Sequence, residues 1–213
     1  MKAKLILITV LALGAMAHAQ GFASHVSIGV GLQGIFPGAT FKEDDINITN
    51  STQSTTNSVG ALGSLRFDFG HHSALDISVT VNRNTERFVL NTLSGGGIVS
   101  RVQTNNAEII GSFIFRLPSS DFVKPYALLG GGAVRFSPNN AFTVLGAVPQ
   151  VDTKPAFAYG FGADFPFGDH LALRLQYRGL VRSSPDFKLS AVPFGTGLKT
   201  HVAEPSVQLV YHF

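Results

Sequence analysis

Residues 206–213 read Ser-Val-Gln-Leu-Val-Tyr-His-Phe, and this stretch decides the fold class. Side chains of a β-strand point alternately to the two faces of its sheet, so an alternating segment separates apolar from polar residues. Val207, Leu209, Tyr211 and Phe213 fall on one face, and Ser206, Gln208 and His212 fall on the other. The closing strand of a transmembrane barrel is paired along both edges and apolar on its lipid face, whereas a soluble domain rarely ends on an exposed aromatic strand. The stretch therefore predicts a strand of a membrane-spanning β-barrel.

The opposite end of the chain has the three parts of a secretory signal peptide. Lys2 and Lys4 precede an apolar run over residues 5–17, and Ala17-His18-Ala19 supplies the small residues of a cleavage site. The run is about 13 residues, shorter than the roughly 20 that a membrane-spanning helix needs. We therefore predict residues 1–19 to be a signal peptide and residues 20–213 to form the exported domain.

The composition fits a closed sheet in lipid better than a soluble domain. Charged residues make up 14% of the chain, against about 25% in ordinary soluble domains, and the chain holds 18 Phe and 23 Gly. It has no cysteine, so disulfides do not hold the exported domain together. Without Lys2 and Lys4 the chain keeps 14 basic and 13 acidic residues, and no basic stripe stands out, which argues against nucleic-acid binding.

Apolar and polar residues alternate with period two in eight segments after residue 20, which predicts eight strands. The predicted ranges are about 22–36, 58–69, 75–82, 102–117, 125–136, 157–167, 171–178 and 204–213. In each segment the face rich in apolar side chains is predicted to contact lipid, and the face rich in small and charged residues to line the lumen. In the fifth segment the predicted outward residues are Tyr126, Leu128, Val134 and Phe136, with Leu129 on the inner face.

The connections between these segments alternate between short and long. Three are short, over residues 70–73, 118–124 and 168–170, and four are long, over residues 38–57, 91–101, 137–154 and 183–198. Bacterial outer-membrane barrels have tight periplasmic turns and long extracellular loops. The predicted fold is therefore all-β, an eight-stranded antiparallel up-and-down transmembrane β-barrel with both termini in the periplasm. The aromatic residues predicted near the periplasmic strand ends are Phe69, Phe115, Tyr126, Phe165, Phe167, Tyr211 and Phe213.

Three stretches resemble a known family. The segment from Pro155 to Leu180 resembles a hairpin of the small outer-membrane β-barrels, which include the OmpA barrel domain, OmpX, OmpW and the opacity proteins. Residues 124–132, Lys-Pro-Tyr-Ala-Leu-Leu-Gly-Gly-Gly, are similar to the family's Pro-Tyr-rich strand start, and Tyr211-His212-Phe213 is similar to its assembly signal. The resemblance implies eight strands, an outer-membrane location, insertion by the barrel-assembly machinery with periplasmic chaperones, and no common activity. The assembly signal is then formed by Val207, Leu209, Tyr211 and Phe213.

Nine charged residues fall on the predicted inner face. They are Arg66, Asp68, Asp76, Glu108, Arg116, Asp164, Arg174, Arg178 and Glu204. An eight-stranded barrel has an interior only wide enough for side chains to fill, so these groups must meet one another. Buried charges persist when they are paired and hydrogen-bonded. We therefore predict a structural polar plug, with an ion path or a catalytic acid–base pair as the alternative.

No motif in the chain predicts a catalytic, cofactor-binding or metal site. His71 and His72 share a turn, and the other histidines are dispersed without the convergence that a metal or a hydrolase needs. His201, near the predicted outer rim, is the first residue to mutate if the barrel is an enzyme. The runs Gly95–Gly97 and Gly130–Gly132 lack the Lys-Ser/Thr and helix of a phosphate-binding loop.

The predicted function is that of a non-enzymatic surface barrel. Its predicted partners are outer-membrane lipids and lipopolysaccharide, an extracellular ligand bound through loop 38–57, and no nucleic acid. One alternative is a small channel for apolar molecules, similar to OmpW, favoured by inward Leu62, Ile110, Ile114 and Leu129. Another is a lipid A-modifying enzyme. A soluble barrel with apolar residues inside also remains open, because alternation alone does not distinguish inside from outside.

Overall fold

The computed structural model describes residues 25–38, 40–42, 51–69, 72–91, 97–139, 148–185, 187 and 199–213, and the predicted signal peptide lies outside these residues. The described part of the chain forms ten β-strands. They are β1 (Val26–Pro37), β2 (Thr40–Lys42), β3 (Ser51–Thr55), β4 (Ser58–Phe69), β5 (Ser73–Asn91), β6 (Gly97–Arg116), β7 (Lys124–Pro138), β8 (Asp152–Pro166), β9 (Leu171–Ser183) and β10 (Lys199–His212). Over the same residues, no helix has the length and apolarity needed to cross a bilayer.

Eight of the strands close into an antiparallel barrel in the order β4-β1-β10-β9-β8-β7-β6-β5, with β5 pairing again with β4. The first and last of these strands are joined, since β1 pairs with β10 and the Phe213 N–H donates to the Val26 carbonyl oxygen at 3.2 Å. Three short connections join strands at one end, which we call the turn end. The other four connections leave from the opposite end, the loop end, and the one between β5 and β6 has only five residues, 92–96. The predicted eight-stranded barrel is confirmed.

The strands run further toward the loop end than the sequence pattern predicted. β5 and β6 have 19 and 20 residues, so residues 97–101 belong to a strand and not to the predicted loop 91–101. The predicted loop 38–57 contains β2 and β3, and β3 pairs with the loop-end part of β5. β3, Ser-Thr-Gln-Ser-Thr, is polar on both faces and therefore shows no period-two alternation, yet its backbone pairs with β5.

Side-chain exposure places apolar residues outside and charged residues inside. Val59, Val30 and Phe161 are 68%, 59% and 64% exposed, whereas the inward Arg66 and Arg174 are each 1% exposed. The soluble alternative, with the opposite polarity, is therefore wrong. An exposed apolar surface of this kind is stable only when lipid covers it.

The predicted facing of β7 is wrong. Tyr126, Leu128, Val134 and Phe136 are at most 4% exposed and point into the lumen, whereas Leu129 is 49% exposed and points outward. The register explains this result, because Leu128 lies opposite Ile114 of β6 and Gly160 of β8, both inward positions. Both faces of β7 are mostly apolar or glycine, and its arginine, Arg135, points outward near the loop end, so its own alternation predicted the wrong facing. The other predicted turn-end aromatics are outward, as expected: Phe69, Phe115, Phe165, Phe167, Tyr211 and Phe213.

Glycines on the inner face let neighbouring strands approach closely. A Cβ added to Gly132 of β7 would lie 1.9 Å from the carbonyl oxygen of Ile109 and 2.9 Å from the Cα of Ile110 on β6. The outward Gly63 of β4 is different, because a Cβ there meets nothing within 4 Å. Glycine is therefore required at residue 132 by backbone approach and is replaceable at residue 63.

Candidate functional site: the charged lumen

The nine predicted lumen charges all lie on the inner face and enter ion pairs, which form three groups along the barrel axis. The first group joins two arginines and two aspartates. Arg66 Nε contacts Asp76 Oδ1 at 3.1 Å and Arg66 Nη1 contacts Asp164 Oδ2 at 3.1 Å. Arg174 Nε contacts Asp164 Oδ1 at 2.7 Å, and Arg174 Nη1 lies 3.6 Å from Asp76 Oδ1. We call these four residues the aspartate group.

Tyr126 completes the aspartate group from β7. Its ring lies under the Arg66 guanidinium, 4.5 Å from ring centroid to Cζ, and its hydroxyl donates to Gln176 Oε1 at 2.8 Å. A Cβ on Gly162 would lie 2.5 Å from the Tyr126 hydroxyl oxygen, so the missing side chain at residue 162 makes room for the ring. The inward direction of Tyr126 was not predictable from β7 alone, because the space for its ring comes from Gly162 of the neighbouring strand.

The second group is centred on Arg178, and we call it the glutamate group. Arg178 Nε contacts Glu204 Oε2 at 2.6 Å, and Nη2 contacts Glu108 Oε2 at 3.0 Å. Arg178 Nη1 also donates to Ser78 Oγ at 3.0 Å. Arg178 and both glutamates are at most 3% exposed. One cation therefore neutralises part of the charge of two buried carboxylates and joins four strands across the lumen.

The third group lies at the turn end, where Arg116 Nη2 donates to Asp68 Oδ1. These two side chains are partly exposed and border a recess of about 430 Å³ that also includes Lys124, His72 and His212. The ion pairs thus change from fully buried in the middle of the barrel to partly exposed at its turn end.

Strand register creates three of the buried pairs. Arg66 lies directly opposite Asp76, Asp164 opposite Arg174, and Glu204 opposite Arg178. The contacts Arg66–Asp164, Arg174–Asp76 and Arg178–Glu108 instead cross the lumen between strands that are not adjacent. The cross-lumen contacts depend on barrel closure, so strand-by-strand reading of the sequence could not identify them.

The loop-end half of the lumen has one apolar wall, of which only Ile110 was predicted from the sequence to face inward. Its buried residues are Ile35, Val102, Ile110, Val134, Phe136, Ala156, Ala158, Leu180, Phe187 and Val202. Phe187 is fully buried although it belongs to a connection, and its φ of 50° is uncommon for a bulky residue. Arg182 stacks on Phe136, with Cζ 4.6 Å from the ring centroid. Amides and hydroxyls line the rest of this half, mainly on β5 and β6, namely Gln33, Thr80, Asn82, Asn84, Thr104 and Asn106.

Replacing Arg174 by leucine is expected to lower the free energy of unfolding by about 2 kcal/mol, because the variant loses charged hydrogen bonds in a buried site. The loss is moderated because Asp76 and Asp164 both keep Arg66 as a partner. The measurement is the temperature at which the folded barrel loses its faster gel mobility. Unchanged heat-modifiability would show that the aspartate group does not hold the barrel together.

The histidines do not assemble a site in the part of the chain that the structure describes. His201 is exposed on the outer face, where its Nε2 lies 2.8 Å from the Tyr159 hydroxyl. His170 Nδ1 contacts the His212 carbonyl oxygen at 3.0 Å. His71 lies outside the described residues. Within the described residues no three His, Cys, Asp or Glu side chains converge as metal ligands would.

Comparisons with known proteins agree with this architecture. A family model described as the outer membrane protein beta-barrel domain matches residues 5–213. Similar solved structures include Ail of Yersinia pestis in complex with the heparin analogue sucrose octasulfate, which is 17% identical with a TM-score of 0.51, over 89% of this chain and 98% of that one. Neisserial surface protein A is 12% identical with a TM-score of 0.56, over 88% and 97%. The outer membrane protein AlkL, solved in DMPC bilayers, is 19% identical with a TM-score of 0.57, over 91% and 92%. No curated protein sequence matches the chain. At these identities the structures show a shared fold.

Proposed function

Because the chain belongs to the outer membrane protein β-barrel domain family, we propose that it is a non-enzymatic surface barrel whose lumen is closed by its own side chains. The observation that carries this proposal is the pair of buried ionic groups in the middle of the barrel. Their arginines are at most 2% exposed and each contacts carboxylates from more than one strand. A narrow eight-stranded barrel filled in this way leaves its loops and outer surface as the parts that contact other molecules.

Planar-bilayer recording tests the closed lumen. We expect no discrete current steps from the refolded protein, because an ion crossing the lumen would have to displace two cross-linked arginine–carboxylate groups. Discrete openings would overturn the proposal, since a side-chain plug admits no continuous water path.

The variant Phe187→Gly tests whether the Phe187 ring or the ionic groups close the lumen. It removes the aromatic ring buried at the loop end, and glycine accepts the positive φ of residue 187 without strain. We expect this variant to remain non-conducting, because the glutamate group below it still closes the lumen. Current through Phe187→Gly would show that the ring is the barrier and that the ionic groups are not.

A channel for apolar molecules is the second candidate function. It is favoured by the apolar wall of the loop-end half, which includes Val134, Phe136 and Leu180. Inward Leu62, Ile110 and Ile114 also favour it, whereas Leu129 does not because it faces outward. Uptake of a small hydrocarbon into vesicles that contain the barrel tests this candidate. A rate equal to that of protein-free vesicles would exclude it.

An enzyme that modifies lipid A is tested through His201. The His201 side chain contacts the Tyr159 hydroxyl on the outer face. A catalytic nucleophile needs a neighbouring base that a third group orients, and within the described residues no third group hydrogen-bonds to the His201 ring. We propose that incubation with lipopolysaccharide releases no acyl chain. Release that is abolished in His201→Ala would overturn the non-enzymatic assignment.

We also propose the route by which the protein reaches its location. Residues 1–19 direct export through the inner membrane, and periplasmic chaperones and the barrel-assembly machinery then deliver the domain to the outer membrane. Val207, Leu209, Tyr211 and Phe213, which are outward and 43–47% exposed in the folded barrel, are proposed to form the signal that this machinery recognises. The segment 38–57, which holds β2 and β3, is proposed to contact an extracellular ligand. The turn end then faces the periplasm and the loop end faces outward.

A further inference from the structure

The acidic side chains of the barrel strands lie on one face only, whereas the arginines lie on both faces. Within the described residues, every acidic side chain of the eight barrel strands lies on the inner face: Asp68, Asp76, Glu86, Glu108, Asp152, Asp164 and Glu204. Four arginines on three adjacent strands instead point outward near the loop end: Arg83 and Arg87 of β5, Arg101 of β6 and Arg135 of β7. We call these four residues the outer arginine patch. It has no acidic neighbour on the described outer face.

The outer arginine patch begins where the apolar outer surface of the barrel ends toward the loop end. Val81 and Ala107 are paired across β5 and β6, and the next outward residues toward the loop end are Arg83 and Asn105. Arg135 of β7 lies opposite Ala107. These residues line an open groove of about 730 Å³ together with Val59 and Ser137. The groove is therefore apolar on the side nearer the turn end and cationic on the side nearer the loop end.

The arginine guanidinium groups have donors to spare. Arg83 Nε donates to Asn105 Oδ1 at 2.9 Å, which fixes the side chain along the strand and leaves its Nη groups for another acceptor. About 14 Å further along β5, at a rise near 3.4 Å per residue, Arg87 lies directly opposite Arg101. Two like charges opposite one another destabilise a sheet unless an anion lies between them.

We propose that the outer arginine patch binds the phosphate groups of an anionic glycolipid of the outer leaflet, a lipid A-type molecule whose acyl chains lie on Val59, Val81 and Ala107. Arginine binds phosphate through several parallel N–H donors, and the groove offers acyl chains and phosphate their own surfaces side by side. A soluble anion would need only the arginines, whereas a lipid uses both sides of the groove. This proposal rests on the outer-membrane placement of the proposed function and identifies one lipid contact.

The test uses the refolded full-length barrel in detergent, titrated with lipid A and followed by native mass spectrometry. Removal of one surface cation near a membrane phosphate weakens binding about 5-fold, so Arg83→Gln and Arg135→Gln should each have this effect and the double variant about 25-fold. Lys199→Gln is the matched control, because Lys199 is an exposed cation on β10, far from the groove. It should bind as the unmodified protein does.

Two further ligands make the result specific. Lipid A stripped of phosphate should bind weakly to all variants alike, and the acyl-free sugar phosphate should also bind weakly. Equal affinity of the barrel for the sugar phosphate and the intact lipid would make the patch a soluble-anion site and overturn the proposal. Equal lipid affinity of the double variant and the control would overturn it as well.

The pair of opposed arginines, Arg87 and Arg101, gives a readout that a purely structural role would not produce. Arg87→Gln should raise the thermal midpoint of the lipid-free barrel, because it removes like-charge repulsion with Arg101, while it lowers lipid A affinity about 5-fold. A fall in both quantities would mean that Arg87 is structural. These outcomes are independent of the lumen, since a non-conducting barrel that binds no lipid A phosphate refutes only the present proposal.

Discussion

Replacing Arg178 by methionine is expected to lower the free energy of unfolding by about 3–5 kcal/mol, the typical effect of removing one partner from a buried ionic group. Methionine fills much of the same volume and leaves Glu108 and Glu204 without the guanidinium that contacts both of them. The effect should exceed that of Arg174→Leu, because in the aspartate group a second arginine remains. The folded fraction across a urea series, scored by gel mobility without boiling, gives the midpoint.

A triple variant provides the control for this prediction. In Arg178→Met/Glu108→Gln/Glu204→Gln the charge is removed from all three partners, and the buried site contains no unpaired ion. Replacement of a whole buried ionic group by neutral residues is often neutral, so the triple variant should recover about 2 kcal/mol or more. A triple variant as unstable as Arg178→Met would show that packing, and not unpaired charge, causes the loss.

Replacing Gly132 by alanine is expected to cost about 3 kcal/mol or to prevent folding, since overpacking a tight site costs roughly 1–3 kcal/mol and occasionally more. The added Cβ would lie 1.9 Å from the Ile109 carbonyl oxygen, and the opposing atoms belong to the β6 backbone. Backbone atoms of a paired strand cannot rotate away as a side chain can. The yield of heat-modifiable barrel and its urea midpoint are the measurements.

Gly63→Ala is the matched control for Gly132→Ala. The substitution is chemically the same and also lies in a barrel strand, but the new methyl group would contact nothing within 4 Å. We expect a change within about 0.5 kcal/mol, as for most surface substitutions. If Gly132→Ala and Gly63→Ala lose the same stability, the cause is a general effect of replacing glycine in a strand and not the close approach of β6 to residue 132.

Much of the fold could be predicted from alternation, because strands covered by lipid on one side and packed on the other separate residue types cleanly. β4 was predicted at Ser58–Phe69, the range that the structure gives. β2 and β3 were missed because their Thr, Ser and Gln side chains lack a polar–apolar contrast. β3 pairs with β5 and β2 pairs with β3, and the partner β5, which is distant in sequence, leaves no local pattern in either strand.

The candidate site was predictable to a similar degree. Arg66 with Asp76 and Asp164 with Arg174 each lie ten residues apart across a short turn, so a hairpin brings the partners together. The direction of Tyr126 was predicted wrongly, since β7 has apolar residues on both faces. The direction of the Tyr126 ring is determined only by the pairing of β7 with neighbouring strands whose facing is known. The contact of Arg178 with Glu108 depends on closure and leaves no trace in either strand.

The pairing of β1 with β10 also constrains the order of events during synthesis. Residues 26–37 are translated before all the other barrel strands, but their partner on one side, residues 199–212, is translated after them. Until then the nascent chain keeps two unsatisfied backbone edges, on β1 and on β9, which are templates for aggregation. The cylinder can therefore close only after β10 has been made, because β10 pairs with both of these edges.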